Sequence, residues 1–141
     1  LAIGEPVSEI VGECEVMRDT VGIRQEGQPA RILTVNLLRD TVEAEVSEDR
    51  IWRIALDGPA FQTADSLGVG TPLARLLRHE GVHGMPGEDG FYVRIPAHCG
   101  LSFRVEEEGK GFTAPNWTAE MLATLPPAAQ VDRVLVVGCG P

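Results

Sequence analysis

Residues 79–83 read His-Glu-Gly-Val-His, a stretch in which metal-binding and proton-moving side chains stand at a catalytic spacing. In zinc hydrolases this spacing works because one helical turn carries both imidazoles to a single ion and leaves the glutamate to activate water. That geometry needs a continuous helix. Here Gly81 lies inside the pattern, and Gly84, Met85, Pro86 and Gly87 follow at once. No third ligand follows at metzincin spacing, and the nearest acidic run, Glu106 to Glu108, falls at a strand end. The spacing predicts a solvated loop, with a metal-binding protein or metal-dependent hydrolase built on His79, Glu80 and His83 as the alternative. His98 and Cys99 would complete a His/His/Cys set that zinc accepts if the chain folded back on that loop. Their surroundings predict instead a turn at His98 and a strand start at Cys99.

Three cysteines, Cys14, Cys99 and Cys139, are too scattered for a disulfide scaffold and form no C-x-x-C pair. One bridge with one free thiol fits an oxidising compartment, and three thiols fit a reducing one. Cys99 and Cys139 fall in the same half of the chain, so a bridge between them is the pairing to test. Cys139 is expected on the inward face of the last strand, as a core residue. Trp52 is also expected inward, whereas Trp117 sits in a segment with no counterpart in the first half and is the candidate exposed aromatic anchor. Glu106 to Glu108 beside Gly109-Lys110-Gly111 lacks the alternating oxygen ligands of a calcium loop and predicts a solvated turn. No nucleophile elbow, phosphate loop or dinucleotide fingerprint occurs, and no cofactor is expected.

The elements that must position these residues belong to a chain of 141 residues, a size suited to one domain with its own core. The 21 acidic side chains outnumber the 12 basic ones, for a net charge of -9, which repels phosphate backbones and disfavours nucleic acid as a partner. Lys110 is the only lysine, and no basic cluster appears. No apolar run approaches the roughly 20 residues that would span a bilayer as a helix. Because the sequence opens at Leu1 rather than Met, an upstream segment is expected to have been removed.

Self-similarity organises the rest. Leu1-Ala2-Ile3-Gly4-Glu5-Pro6-Val7 is answered by Leu67-Gly68-Val69-Gly70-Thr71-Pro72-Leu73. Asp49 to Ile54 is answered by Asp132 to Val137, and Gly58-Pro59 by Gly140-Pro141. In the second copy Thr71 is expected to cap a helix, with Pro72 at its first position and Leu73, Leu76 and Leu77 on one face. After each helix the period switches to two. Leu33/Val35/Leu37, Val42/Ala44/Val46 and Trp52/Ile54/Leu56 predict three strands in residues 1–60. Phe91/Val93/Ile95, Leu101/Phe103/Val105 and Leu135/Val137/Cys139 predict three in residues 61–141. The expectation is a single domain of the α+β class. It comprises two tandem helix–three-strand repeats, residues 1–60 and 61–141, with helices packed on one face of an antiparallel sheet. The second repeat carries an insertion at about residues 106–130, where Thr118 to Leu125 predicts a short helix ended by Pro126-Pro127. Such an insertion serves either function or the covering of a sheet edge.

The Gly-x-Pro openings at Ile3 to Val7 and Val69 to Leu73, followed by antiparallel strands, resemble the repeats of the beta-lactamase inhibitory protein and outer-membrane assembly lipoprotein superfamily. Phe61 to Gly70 is similar to a phrase of uncharacterised bacterial envelope proteins. The resemblance implies a non-enzymatic, extracytoplasmic protein, periplasmic for instance, that offers a sheet surface to protein partners. It carries over no functional residue, because the binding residues of that superfamily lie outside the shared pattern. The expectation is thus an acidic interaction module of the cell envelope that binds another protein. A small-ligand binder with an apolar pocket between sheet and helices is a further alternative.

Overall fold

The computed structural model describes residues 1–23, 29–87, 89–106 and 115–139. Residues 107–111 of the expected acidic turn and the terminal Gly140-Pro141 lie outside the described residues. Eight strands make one antiparallel sheet. They are β1 (Glu15–Ile23), β2 (Pro29–Leu37), β3 (Asp40–Ser47), β4 (Arg50–Leu56), β5 (His83–Gly87), β6 (Gly90–Arg94), β7 (Leu101–Val105) and β8 (Val131–Val137). Their order is β1-β2-β3-β4-β8-β7-β6-β5. The chain thus lays down two meanders, each starting at one outer edge, and they meet in the middle where β4 pairs with β8.

Helices α1 (Val7–Glu13), α2 (Leu73–Leu76) and α3 (Ala119–Leu122) pack their apolar residues on one side of the sheet. Two helix starts come from a shared local device. Gly4 and Gly70 take φ of +85° and +97°, a region open to glycine at no steric cost. This turns the chain so that Pro6 bridges Arg50 and Pro72 bridges Gln130. The free amides at these starts are met by backbone carbonyls. Val7 donates to Asp49, Leu73 to Ala129 and Ala74 to Pro127. The expected Thr71 cap is therefore corrected: Pro72 occupies the cap position, and the Thr71 hydroxyl accepts from the Gly68 amide instead. The helix expected over Thr118 to Leu125 is shorter, Ala119–Leu122, and here a side-chain cap does form, with Thr118 Oγ1 accepting from Met121 N.

The expectation of an α+β fold of two helix–three-strand repeats is overturned. Helices of seven, four and four residues beside a single eight-stranded sheet make the protein mainly β, and each half supplies four strands. The two unforeseen strands, β1 and β5, are the sheet edges, where a strand packs on one side at most. β1 bulges at Met17 and leaves Met17 and Val21 largely exposed, so it shows no clean alternation. β5 contains Gly84, Pro86 and Gly87, the punctuation of a turn, and proline is tolerated in a strand at such an edge.

The core lies under the helices in two clusters. One gathers Val7, Ile10, Leu33, Val35, Val42, Ala44, Ile51 and Ile54. The other gathers Leu73, Leu76, Phe91, Val93, Phe103, Leu122 and Val134. Leu56 of β4 and Val136 of β8 pack against both and join them. Bulges skip Trp52 in β4 and Asp132 in β8, so Val131 rather than Val134 makes the contacts that correspond to those of Ile51. Trp52 accordingly sits half-buried at the bulge, with the Arg53 guanidinium 4.9 Å from its ring centre, rather than within the core.

Cys99 and Cys139 form a disulfide, with Cα atoms 5.4 Å apart, and Cys14 is a free thiol. Strand β8 ends at Val137, so Cys139 is exposed and bridged rather than a core residue. The bridge spans a sequence separation of 40, for which loop-closure entropy suggests roughly 4 kcal/mol at most. Alkylation without reductant is expected to label Cys14 alone, and Cys99→Ala/Cys139→Ala to lower the unfolding free energy by about 2–4 kcal/mol. Labelling of all three thiols in unreduced protein would contradict the bridge.

Candidate binding face

Side chains alternate across a strand, so burying one face under helices commits the other to solvent. Over the central strands that other face carries Ile32 of β2, Glu43 and Glu45 of β3, Arg53 and Ala55 of β4, and Arg133 and Leu135 of β8. Register places Ile32 beside Glu45, Glu45 beside Arg53, and Ala55 beside Leu135. Together with Asp89 they line a cleft of about 190 Å³. Its floor is apolar and its walls are charged.

The walls are organised by one electrostatic conflict. Arg104 of β7 and Arg133 of β8 are direct cross-strand partners, an arrangement that repulsion disfavours. Three carboxylates resolve it. Arg133 grips Asp57 with two contacts, Nε to Oδ1 at 2.6 Å and Nη2 to Oδ2 at 2.9 Å. Arg104 Nε donates to Asp132 at 2.7 Å. Asp89, from the β5–β6 turn, accepts from both arginines at 3.2 Å and from the Tyr92 hydroxyl at 2.7 Å. On the far side of the cleft Arg53 Nη2 donates to the buried Glu45 at 2.7 Å.

The titration of these groups follows from their neighbours. Burial alone would raise the Asp89 carboxyl, but the Tyr92 hydroxyl and the two arginines outweigh it and hold it below the usual carboxylate range. Burial, then the bond to Asp89, pushes the Tyr92 phenol up. The Asp57 hydrogen bonds raise the Arg133 guanidinium further, so it stays charged throughout.

The residues singled out in the sequence lie elsewhere. Helix α2 stops at Leu76, His79 follows in a turn, and His83 lies on β5 with Nδ1 3.1 Å from the Gly81 carbonyl oxygen. The helical turn that would aim His79 and His83 at one ion is therefore not formed. His79 faces Asp65 instead, at 3.9 Å, beside His98, whose Nε2 lies 3.1 Å from the same carboxylate. Hydrogen bonds from Thr63 and then His98 hold the Asp65 carboxyl down to about 2. Cys99 is committed to its disulfide. Among the described residues, no group of three or more His, Cys, Asp or Glu is arranged to hold a metal ion.

Trp117 is also corrected. It is half-buried, packs edge-on to Phe91 at 5.3 Å and exchanges two 2.8 Å backbone hydrogen bonds with Gly84. Within the insertion, Trp117 and α3 therefore cover the edge strand β5. Gly84 leaves room for the Phe91 ring and Leu122, because a Cβ there would meet Phe91 Cζ at 2.6 Å.

Fold and face together define an open-faced antiparallel sheet protein, with helices on one side and a charged cleft on the other. The chain is similar in structure to the uncharacterized protein yfeY from Escherichia coli, with a TM-score of 0.69 over 97% of this chain and 91% of that chain. Sequence identity is 13%, so the likeness concerns the fold alone. No protein-family model and no curated protein matches the chain.

Two measurements probe the face. In a double-mutant cycle of Arg133→Ala and Asp57→Ala, the two-point, partly shielded pair is expected to show a coupling of about 1 kcal/mol, the upper end for surface pairs. A coupling near zero would mean that the carboxylate does not hold the guanidinium. Asp89 has a lowered folded pKa, so its stabilisation is complete above the unfolded value near 3.8 and is lost as pH falls below it. Asp89→Asn is expected to flatten the decline in stability below about pH 4. An unchanged acid limb would contradict this.

Proposed function

We propose that the protein is a non-enzymatic binding module of the bacterial cell envelope. It presents the helix-free face of its sheet, centred on the cleft between Arg53 and Arg133, to a protein partner. The observation that carries this reading is the cleft itself. It is a recess on an otherwise open sheet, with an apolar floor of Ile32, Ala55 and Leu135 and charges already fixed by ion pairs around it. Interface centres combine an apolar patch with pre-oriented arginines in this way.

Glu43 stands exposed at the lip, and the cleft carboxylates outnumber its two arginines, so a partner with a basic group over an apolar stem is the best match. The Cys99–Cys139 disulfide suits an oxidising compartment. The resemblance of the Gly-x-Pro openings to extracytoplasmic proteins that present a sheet surface to partners supports the same reading.

Photo-crosslinking in intact cells tests the proposal. A photoreactive residue at Thr34 or Leu135, on the open face, is expected to give a discrete adduct with one protein. The same residue at Ser8 or Arg78, on the helix side, is expected to give none. Adducts from the helix side only, or equally from both sides, would sink the reading.

A further inference from the structure

We infer that the protein has a second site, on the opposite side of the sheet, that takes an uncharged aromatic or branched hydrocarbon group. Helix α1 covers the first core cluster and α2 and α3 cover the second. The seam between them, over β4 and β8, is roofed by the linker between β4 and α2. Beneath this linker lies a cavity of about 150 Å³. Leu56, Val134 and Phe103 form a cross-strand row along its floor, with Leu101 beside them; Phe61 and Leu67 border it from the linker side, and it is half open to solvent.

Protein interiors normally close a gap of this size by repacking. Here Leu67 packs with the floor, and the rest of the linker is anchored by its own bonds. Thr63 N donates to the Leu67 carbonyl at 2.9 Å, and Leu67 N donates back to the Thr63 hydroxyl at 2.9 Å. The Arg75 guanidinium ties down the carbonyls of Asp65 and Ser66 at 3.1 and 3.2 Å. Asp40 accepts from Ala60 N at 2.8 Å and fixes the other end of the linker. The loop that borders the cavity is thus braced at both ends.

The lining sets the ligand class. Among the described residues no charged side chain lines the cavity, so an ion finds no counter-charge there. Floor and roof each contribute a phenylalanine ring. Apolar cavities of about 150 Å³ accept benzene-sized guests. At the mouth the Thr63 hydroxyl is already engaged with Asp65 and Leu67, and the Gln62 amide makes only a long 3.5 Å contact to the Pro59 carbonyl. Gln62 is therefore the group that would meet a single polar substituent on the ligand. Because this site and the charged cleft lie on opposite faces, either can fail without the other.

Toluene and p-cresol, titrated into the intact chain and followed by methyl NMR, test the inference. Saturable shifts confined to Leu56, Leu67, Leu101 and Val134 are expected, with p-cresol binding several-fold more tightly than toluene, roughly the worth of one hydrogen bond. Leu101→Trp, which fills the cavity, is expected to weaken both probes by about tenfold. Should that variant not fold, contacts between toluene protons and the Val134 and Phe103 side chains in the unmodified protein, detected by nuclear Overhauser effects, decide the matter. Shifts that do not saturate, absence of those contacts, or unchanged affinity in a folded Leu101→Trp protein would overturn the site.

Discussion

The pairing of β4 with β8 is the contact on which the rest of the molecule depends. Each meander of four strands could satisfy its inner ladders alone, but its last strand would then be an unpaired edge in the middle of the protein. Joining them pairs Arg53 to Leu56 with Val137 to Val134 and lets Leu56 and Val136 pack against both cores. This contact brings together residues about 80 positions apart in sequence, as in the Asp57–Arg133 ion pair with its separation of 76. Pairing over such a distance carries a large loop-closure cost and forms late unless something shortens the search. The two meanders, each built from antiparallel pairs of strands that follow one another in the chain, supply the surfaces that make the final pairing favourable.

The same junction explains both sites. On the open face it sets Ala55 beside Leu135 and brings the Glu45–Arg53 pair up to the Arg133 cluster, which creates the cleft. On the covered face it forms a seam that lies between the helices, and the linker that crosses it cannot fill the space as a helix would. Charge on one side and apolar space on the other are thus two consequences of one strand pairing.

The two sheet edges are protected to different degrees. Trp117 and α3 cover β5, and Pro86 removes a donor from it. β1 is longer and relies on its bulge and on charge, including the two-point Arg31–Asp19 pair, to discourage further strands. The disulfide adds a covalent tie at the end of β8, so the strand that joins the halves is fixed near its last residue.

Residue pattern alone located most strands and helices that have one buried face, although in β8 it put Leu135, Val137 and Cys139 inward where Val134 and Val136 meet the core. The alternation of Val42, Ala44 and Val46, of Phe91, Val93 and Ile95, and of Leu101, Phe103 and Val105 lies on observed strands or at their ends, and Leu73 and Leu76 are the buried face of α2. The helix starts were legible because glycine and proline act through their own backbones. The edge strands were not, since a strand packed on one side and interrupted by a bulge or by proline shows no period. Nor was the cleft. Arg104 and Arg133 stand at outward positions of recognisable strands, but nothing in the order of residues says that they face each other or share Asp89. That was decided by sheet order, by two one-residue bulges and by the β4–β8 register. The hydrogen bonds that fix these features join residues too far apart to leave a local pattern.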